Sequence, residues 1–142
     1  MILIYSSICC ITPLLNIDLS FMQDKILILD FGSQVTQLIA RRVRESGVYA
    51  EIQPYYTDIK AIKSFAPNGI ILSGGPASTT VAESPRISSE IFDMEIPILG
   101  ICYGEQLLCS MLGGEVLPSD KREFGRAHID IVEDNPLFEN VW

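Results

Sequence analysis

The chain has 142 residues, of which 48% are hydrophobic and 20% are charged, a balance typical of one globular domain. Its formal net charge of -8 argues against a nucleic-acid partner, because binding phosphates requires clustered Lys and Arg. The one basic cluster, Arg41, Arg42 and Arg44, is interpreted as the solvated face of a helix, with an anion site as the alternative.

The cysteines do not predict a metal site. Cys9, Cys10, Cys102 and Cys109 lack the C-x2-C spacing of zinc ligands, and His128 is the single histidine of the chain. The neighbouring Cys9 and Cys10 are poorly placed to bridge each other. A reducing, cytoplasmic location is therefore expected.

The first 22 residues differ in character from the rest. Residues 1–22 are apolar and contain no Lys or Arg, unlike a secretory signal. Pro13, Asn16 and Asp18 interrupt the segment, so attachment to a membrane is not expected. We interpret it as an added or mis-started leader outside a domain that spans 23–142, with a weak membrane or targeting segment, or an extra strand, as alternatives.

Strands and helices then alternate, beginning with the apolar run Lys25–Phe31, which is typical of a strand buried on both faces. A tight turn follows, and Ser33 is expected to cap a helix over Val35–Glu45. The spacing of its apolar residues predicts that one face of this helix packs on the core: Val35, Leu38, Ile39 and Val43.

The pattern continues with shorter elements. Thr57 is expected to cap a helix that ends at Phe65. The remaining predictions are strands over Val48–Gln53, Ile70–Leu72 and Pro97–Ile101, helices over Arg86–Phe92 and Gly104–Leu112, and short antiparallel strands within Glu115–Val132.

This alternation predicts an α/β fold with a mostly parallel sheet flanked by helices. Ligands of such sheets bind at the carboxyl ends of the strands. Three turns are expected at that edge of the sheet, which we call the rim: residues 32–34, 73–76 and 102–104.

Cys102 is the candidate nucleophile. Gly100-Ile101-Cys102-Tyr103-Gly104 has the form G-x-C-x-G at a strand-to-helix junction, the cysteine counterpart of a nucleophile elbow. A sharp turn needs small neighbours, and the N-terminus of the following helix favours negative charge on the sulfur. The N–H of Tyr103 would then serve an oxyanion hole. The alternative, a buried cysteine that packs as a small hydrophobe, is disfavoured by this setting.

Other rim residues could complete the site. The two glycines of Ser73-Gly74-Gly75-Pro76 would let the backbone approach a ligand and supply a second N–H donor, with a plain turn as the alternative. Gln106 lies one helical turn after Cys102 and could bond a polar substrate. The side chain of Glu105 is expected to be exposed to solvent, and that of Cys109 is expected to serve only in packing.

Four segments in this order resemble the class I glutamine amidotransferase family, and within it the GMP synthase group: Asp30–Glu45, Ile71–Thr80, Gly100–Gln106 and Arg122–Ala127. The resemblance extends from about Asp24 to Trp142, with Val35 and Glu105 as departures. It implies a flavodoxin-like architecture that is incomplete at the C-terminus.

The resemblance also implies a chemistry. Cys102 would attack the side-chain amide of glutamine, giving a glutamyl thioester and ammonia. Gly75 and Tyr103 would supply the oxyanion-hole N–H groups, while Gly74 and Gln106 would bind the substrate. Ammonia would pass to an ATP-dependent synthetase (ATP pyrophosphatase) domain or subunit that aminates XMP to GMP. No cofactor is expected in this chain, since ATP and Mg would belong to the synthetase.

One departure affects activity. The family takes a catalytic His and Glu from a later His-Pro-Glu motif, which these 142 residues lack. His128 is expected to be structural, with a substitute base as the alternative. We therefore expect the isolated chain to be largely inactive and its sheet to have an exposed edge. A non-catalytic or decayed module that binds glutamine or a partner remains the competing interpretation. A different cysteine hydrolase is disfavoured by the first helix and by Arg122–Ala127.

Overall fold

The computed structural model describes residues 24–78 and 84–117. The predictions made for the leader, for His128, for Arg122–Ala127 and for strands beyond residue 117 lie outside these ranges. The described elements are, in order, β1 (Lys25–Asp30), α1 (Thr36–Glu45), β2 (Tyr49–Pro54), α2 (Ile59–Phe65), β3 (Gly69–Leu72), a 3-10 helix (Ser89–Met94), β4 (Ile98–Gly100) and α3 (Tyr103–Met111). None of the helices in these two ranges has the length and apolar character needed to cross a bilayer.

The four strands form one parallel sheet in the order β2-β1-β3-β4, which confirms the predicted α/β fold. The connection from β1 to β2 contains α1, which covers one face of the sheet. The connection from β2 to β3 contains α2, passes β1 and covers the other face. The strand order therefore reverses between β1 and β3, whose carboxyl ends are the expected place for a ligand.

Helices cover both faces of the sheet, so the strands are nearly continuous apolar runs. One face buries Leu27, Leu29 and Leu72 beneath α2, the 3-10 helix and α3. The other face buries Ile28 against Ala40 of α1. Since side chains alternate along a strand, β1 contributes to both cores, and it is one of the two interior strands of the described sheet.

The predicted inner face of α1 is partly wrong. Val35 and Leu38 are 47% and 49% exposed, whereas Thr36 and Ala40 are buried. Small residues let the helix approach Ile28 and Ala50 closely, and this packing rotates Val35 and Leu38 outward. Ile39 and Val43 do pack against this core, as predicted.

The two predicted helix caps are also wrong. Ser33 does not cap α1: Val35 occupies the N-cap position without a side-chain bond, and the Ser33 hydroxyl accepts from the N–H of Val35 instead. α2 is capped by Asp58 rather than Thr57, whose hydroxyl donates to the carbonyl of Pro54.

The segment predicted as a helix over Arg86–Phe92 is a 3-10 helix that begins later, at Ser89. Its cap is Ser88, whose hydroxyl accepts from the N–H of Glu90. Ile91 is the buried residue of this segment. Phe92 and Met94 of the same segment are partly buried and pack against the same core as Ile91.

Candidate active site

The three predicted turns meet at the rim. The N–H of Ser73, after β3, donates to the carbonyl of Leu29 in β1, at 3.0 Å. The N–H of Phe31, after β1, donates to the Ser73 hydroxyl at 3.1 Å. The N–H of Gly104, after β4, donates to the Ser73 carbonyl at 3.2 Å. Ser73 therefore joins the ends of β1, β3 and β4.

Cys102 occupies a sharp junction between β4 and α3. Its backbone has φ 55° and ψ -109°, outside the usual regions for a residue with a side chain, and α3 begins at the next residue. The side chain is exposed. This exposure contradicts the alternative of a buried cysteine, and a strained, exposed residue at the end of a strand is typical of a nucleophile elbow.

The two glycines that flank Cys102 are required by crowding. A Cβ built on Gly104 would lie 2.3 Å from the carbonyl oxygen of Leu72, and one on Gly100 would lie 2.6 Å from the nitrogen of Glu105. Both contacts are with backbone, which cannot move aside. The predicted steric reason for the G-x-C-x-G pattern is confirmed by these distances.

The turn after β3 faces the cysteine. A Cβ built on Gly74 would lie 3.4 Å from the Cβ of Cys102, 3.7 Å from its Sγ, and 3.5 Å from the Oγ of Ser33. A Cβ built on Gly75 would lie 2.6 Å from the carbonyl oxygen of Phe31. The two glycines thus bring the backbone of this turn against both other turns, and Ser33 contacts the same turn as Cys102.

Two backbone donors beside Cys102 are available. Within the described parts of the chain, the N–H groups of Gly75 and Tyr103 donate to no acceptor. The backbone of Tyr103 is held by its own side chain, which is fully buried, lies 5.2 Å from the ring of Phe31, and donates its hydroxyl to the carbonyl of Pro85. Donors held in this way can stabilise an oxyanion without reorganising.

Gln106 offers a polar group with unmet bonding capacity. Its Oε1 is buried and has no hydrogen-bond partner among the described residues. A buried polar atom without a partner is uncommon in native proteins and is consistent with a place for a polar ligand. Glu105 is exposed, as predicted. Cys109 is half-buried, with its Sγ 3.8 Å from the carbonyl oxygen of Glu115, in agreement with packing.

An acidic residue missed by the sequence analysis holds the first turn. Asp30 accepts from the Thr36 hydroxyl at 2.7 Å and from the N–H of Gly32 at 3.0 Å. Burial raises the pKa of the Asp30 carboxyl, but hydrogen bonds from Thr36, Gly32 and Ser33 outweigh burial and lower that pKa below its ordinary value of 3.8. The carboxylate therefore stays charged and ties the turn to α1.

The basic cluster of α1 is engaged in local contacts. Arg41 and Arg42 both pair with Glu45 at 2.8 and 2.9 Å, with 74% of each arginine side chain exposed, and Arg44 donates to the carbonyl of Ala50. This supports the interpretation as a solvated helix face. In residues 24–78 and 84–117, no three His, Cys, Asp or Glu side chains are grouped as metal ligands would be.

Comparison with known proteins agrees with these features. The family model for glutamine amidotransferase class-I matches residues 27–141. The chain is 60% identical over 119 residues to a GMP synthase [glutamine-hydrolyzing] of Brucella melitensis and 56% identical over 128 residues to one of Phenylobacterium zucineum. Each alignment covers 84% of this chain but only 24% and 25% of the relative. The chain thus spans about a quarter of the length of these relatives.

A solved structure shares the fold. It is the crystal structure of a Thermoplasma acidophilum protein described as one of the subunits of a GMP synthase. The superposition has a TM-score of 0.54 and 31% sequence identity, and it covers 72% of this chain and 52% of that one. These similarities are consistent with the predicted flavodoxin-like architecture.

Proposed function

The chain belongs to the class I glutamine amidotransferase family, and we propose that it forms the part of a GMP synthase that releases ammonia from glutamine. The ammonia would be used by an ATP-dependent synthetase domain or subunit that aminates XMP to GMP. The observation that carries the proposal is the exposed, strained Cys102 at the start of α3, next to Gly74.

The proposed reaction begins at the sulfur. Cys102 attacks the side-chain carbonyl carbon of glutamine, so that an S–C bond forms and the carbonyl oxygen gains negative charge. The N–H groups of Gly75 and Tyr103 bind that oxygen. The C–N bond then breaks, the nitrogen takes up a proton and leaves as ammonia, and water cleaves the thioester to give glutamate and free Cys102.

The substrate is held by the rim. Gly74 offers close backbone approach beside Cys102, and Gln106 offers its unpaired Oε1 to a donor such as an amide or ammonium group. Glutamine carries both of these donors. ATP and Mg belong, by family resemblance, to the synthetase part of the relatives, so none of the steps above involves them.

The proton transfers need a base, which the family takes from a His-Pro-Glu motif. The 142 residues contain one histidine, His128, and no such motif. General base catalysis is typically worth about 10²- to 10⁴-fold. We therefore expect glutamate release from glutamine by the isolated chain to be no faster than release by the Cys102→Ala variant.

A substrate that needs no proton donor tests the nucleophile separately. The γ-(4-nitrophenyl) ester of L-glutamate loses 4-nitrophenolate when a thiolate attacks, leaving a γ-glutamyl thioester that intact-mass spectrometry detects. We expect a stoichiometric burst from the wild type and from the matched control Cys109→Ala, which alters a cysteine of the same helix. Cys102→Ala should show only the slow, uncatalysed loss of the ester.

The outcomes separate the two candidate functions. A burst and a thioester on Cys102 support the amidotransferase proposal. Binding of L-glutamine, measured by calorimetry, without any burst would favour the non-catalytic glutamine-binding module. Glutamate release from glutamine itself, lost in Cys102→Ala, would contradict the expected inactivity and make His128 the next residue to replace.

A further inference from the structure

The polar atoms of Ser73 form hydrogen bonds with the backbone of the rim. The residue is fully buried. Its N–H donates to Leu29, its carbonyl accepts from Gly104, and its hydroxyl oxygen accepts from the N–H of Phe31. The hydroxyl can in addition donate its one proton to an acceptor.

Distance assigns that proton to the next residue. The Ser73 Oγ lies 2.9 Å from the carbonyl oxygen of Gly74 and 3.4 Å from Oδ1 of Asp30. Hydrogen bonds between oxygens usually measure about 2.5–3.0 Å, so the carbonyl of Gly74 is the better acceptor. The hydroxyl therefore holds the peptide group that joins Gly74 to Gly75.

That peptide group also contains the proposed oxyanion donor. The peptide is trans, and the carbonyl of Gly74 and the N–H of Gly75 therefore point in opposite directions. With the carbonyl turned inward to Ser73, the N–H is turned away from the buried serine. Glycine on both sides makes rotation of this peptide easy, because no Cβ restricts it.

We propose that Ser73 is a positioning residue whose buried hydroxyl holds the Gly74–Gly75 peptide in the orientation that presents the Gly75 N–H to the oxyanion. The inference rests on the proposed function, since it concerns the same site. The hydrogen bond from Gly104 to the Ser73 carbonyl ties the preceding peptide, Ser73–Gly74, to the start of α3, next to the other donor, Tyr103.

The test compares Ser73→Ala with Ser73→Thr in the ester burst described above. An oxyanion donor acts on the transition state, so the maximal burst rate of Ser73→Ala should fall about 10- to 100-fold. The ester concentration that gives half of that rate should change by less than about threefold, because ground-state binding is retained. Ser73→Thr keeps the hydroxyl and should recover most of the rate.

A second reaction of the same sulfur distinguishes positioning from structural damage. Alkylation of Cys102 by iodoacetamide develops no oxyanion, so its rate, resolved by peptide mass spectrometry, should be the same in the wild type and Ser73→Ala within about twofold. A parallel fall in both reactions would overturn the proposal, and so would an unchanged burst in Ser73→Ala.

A measurement on the wild type covers the case in which Ser73→Ala does not fold. The proposal requires a Ser73 hydroxyl proton that exchanges slowly with water and shows NMR coupling to the carbonyl carbon of Gly74. If this coupling is absent, the proposal is wrong even when the wild type gives a burst. If the coupling is present but the wild type gives no burst, the proposed function fails, and the catalytic role of Ser73 fails with it.

Discussion

Two junctions on the same rim carry the chain from a strand into a helix, and they are built differently. Between β1 and α1 the chain takes five residues, and a glycine, Gly32, adopts the positive φ of 90°. Between β4 and α3 it takes two, and a cysteine adopts the positive φ of 55°. The first junction is relaxed and the second strained.

The comparison shows that the backbone strain lies in the junction that carries the candidate nucleophile, Cys102. The longer turn places Ser33 and Asp30 around the rim with ordinary hydrogen bonds. The shorter turn forces the side chain of Cys102 outward, directly before the N-terminus of α3. Such strain persists only where the surrounding structure determines the backbone strongly, and here Gly104 packs against the carbonyl of Leu72. Each of the following predictions changes one of the two junctions.

The largest effect is expected for Gly104→Ala. The added methyl group would meet the backbone of Leu72 at 2.3 Å, and the free energy of unfolding should fall by about 3 kcal/mol or more. The matched change in the relaxed junction is Gly32→Ala. Its methyl group would lie an ordinary 3.6 Å from Pro76, so only the positive φ is penalised, by about 1 to 2 kcal/mol.

Urea denaturation of the two variants measures this difference. Equal losses of stability in Gly104→Ala and Gly32→Ala would show that crowding does not distinguish the junctions. The explanation given for the second glycine of the elbow would then be wrong.

A smaller effect of opposite sign is expected for Cys102→Gly. Glycine adopts positive φ without the clash of a Cβ, so this variant should unfold with a free energy about 1 kcal/mol higher than that of Cys102→Ala. Both variants lack the thiol, which removes its chemistry from the comparison. Thermal unfolding by circular dichroism would measure it, and a Cys102→Gly variant less stable than Cys102→Ala would argue against strain at this residue.

The smallest effect is expected for Asp30→Asn in the relaxed junction. The charged hydrogen bonds of Asp30 become neutral ones, and since the carboxylate is partly exposed, the loss of stability at neutral pH should be about 1 kcal/mol or less. Glu105→Gln, an equal change of charge at an exposed residue of α3, is the control.

The effect should depend on pH in one direction. Because folding lowers the pKa of Asp30 below 3.8, its stabilisation is fully present above that value and is lost as the pH falls through the lower, folded-state value. The difference in unfolding free energy between wild type and Asp30→Asn should therefore shrink below about pH 4. A difference that grows in acid would contradict the assigned hydrogen bonds.

The sequence by itself determined the elements and the pattern of the elbow. Buried strands in a parallel sheet are continuous apolar runs, and the run from Lys25 to Phe31 could be recognised without any partner. The spacing of the two glycines around Cys102 was visible in the sequence, although only Gly100 is crowded by residues near it in the chain, whereas Gly104 is crowded by Leu72 of β3. Because apolar runs and motif spacing depend on neighbours in the chain, the α/β fold and the rim were predictable, although the order of the strands was not.

Only the tertiary structure decided which face of α1 is buried and what Ser73 does. The inward turn of Thr36 and Ala40 depends on how closely the helix approaches Ile28, which apolar spacing within the helix does not encode. The role of Ser73 depends on Phe31 and Gly104, each about 30 or more residues away in the chain. A serine beside two glycines has the local pattern of a turn, and only the packing of three strand ends makes its hydroxyl the support of a candidate oxyanion hole.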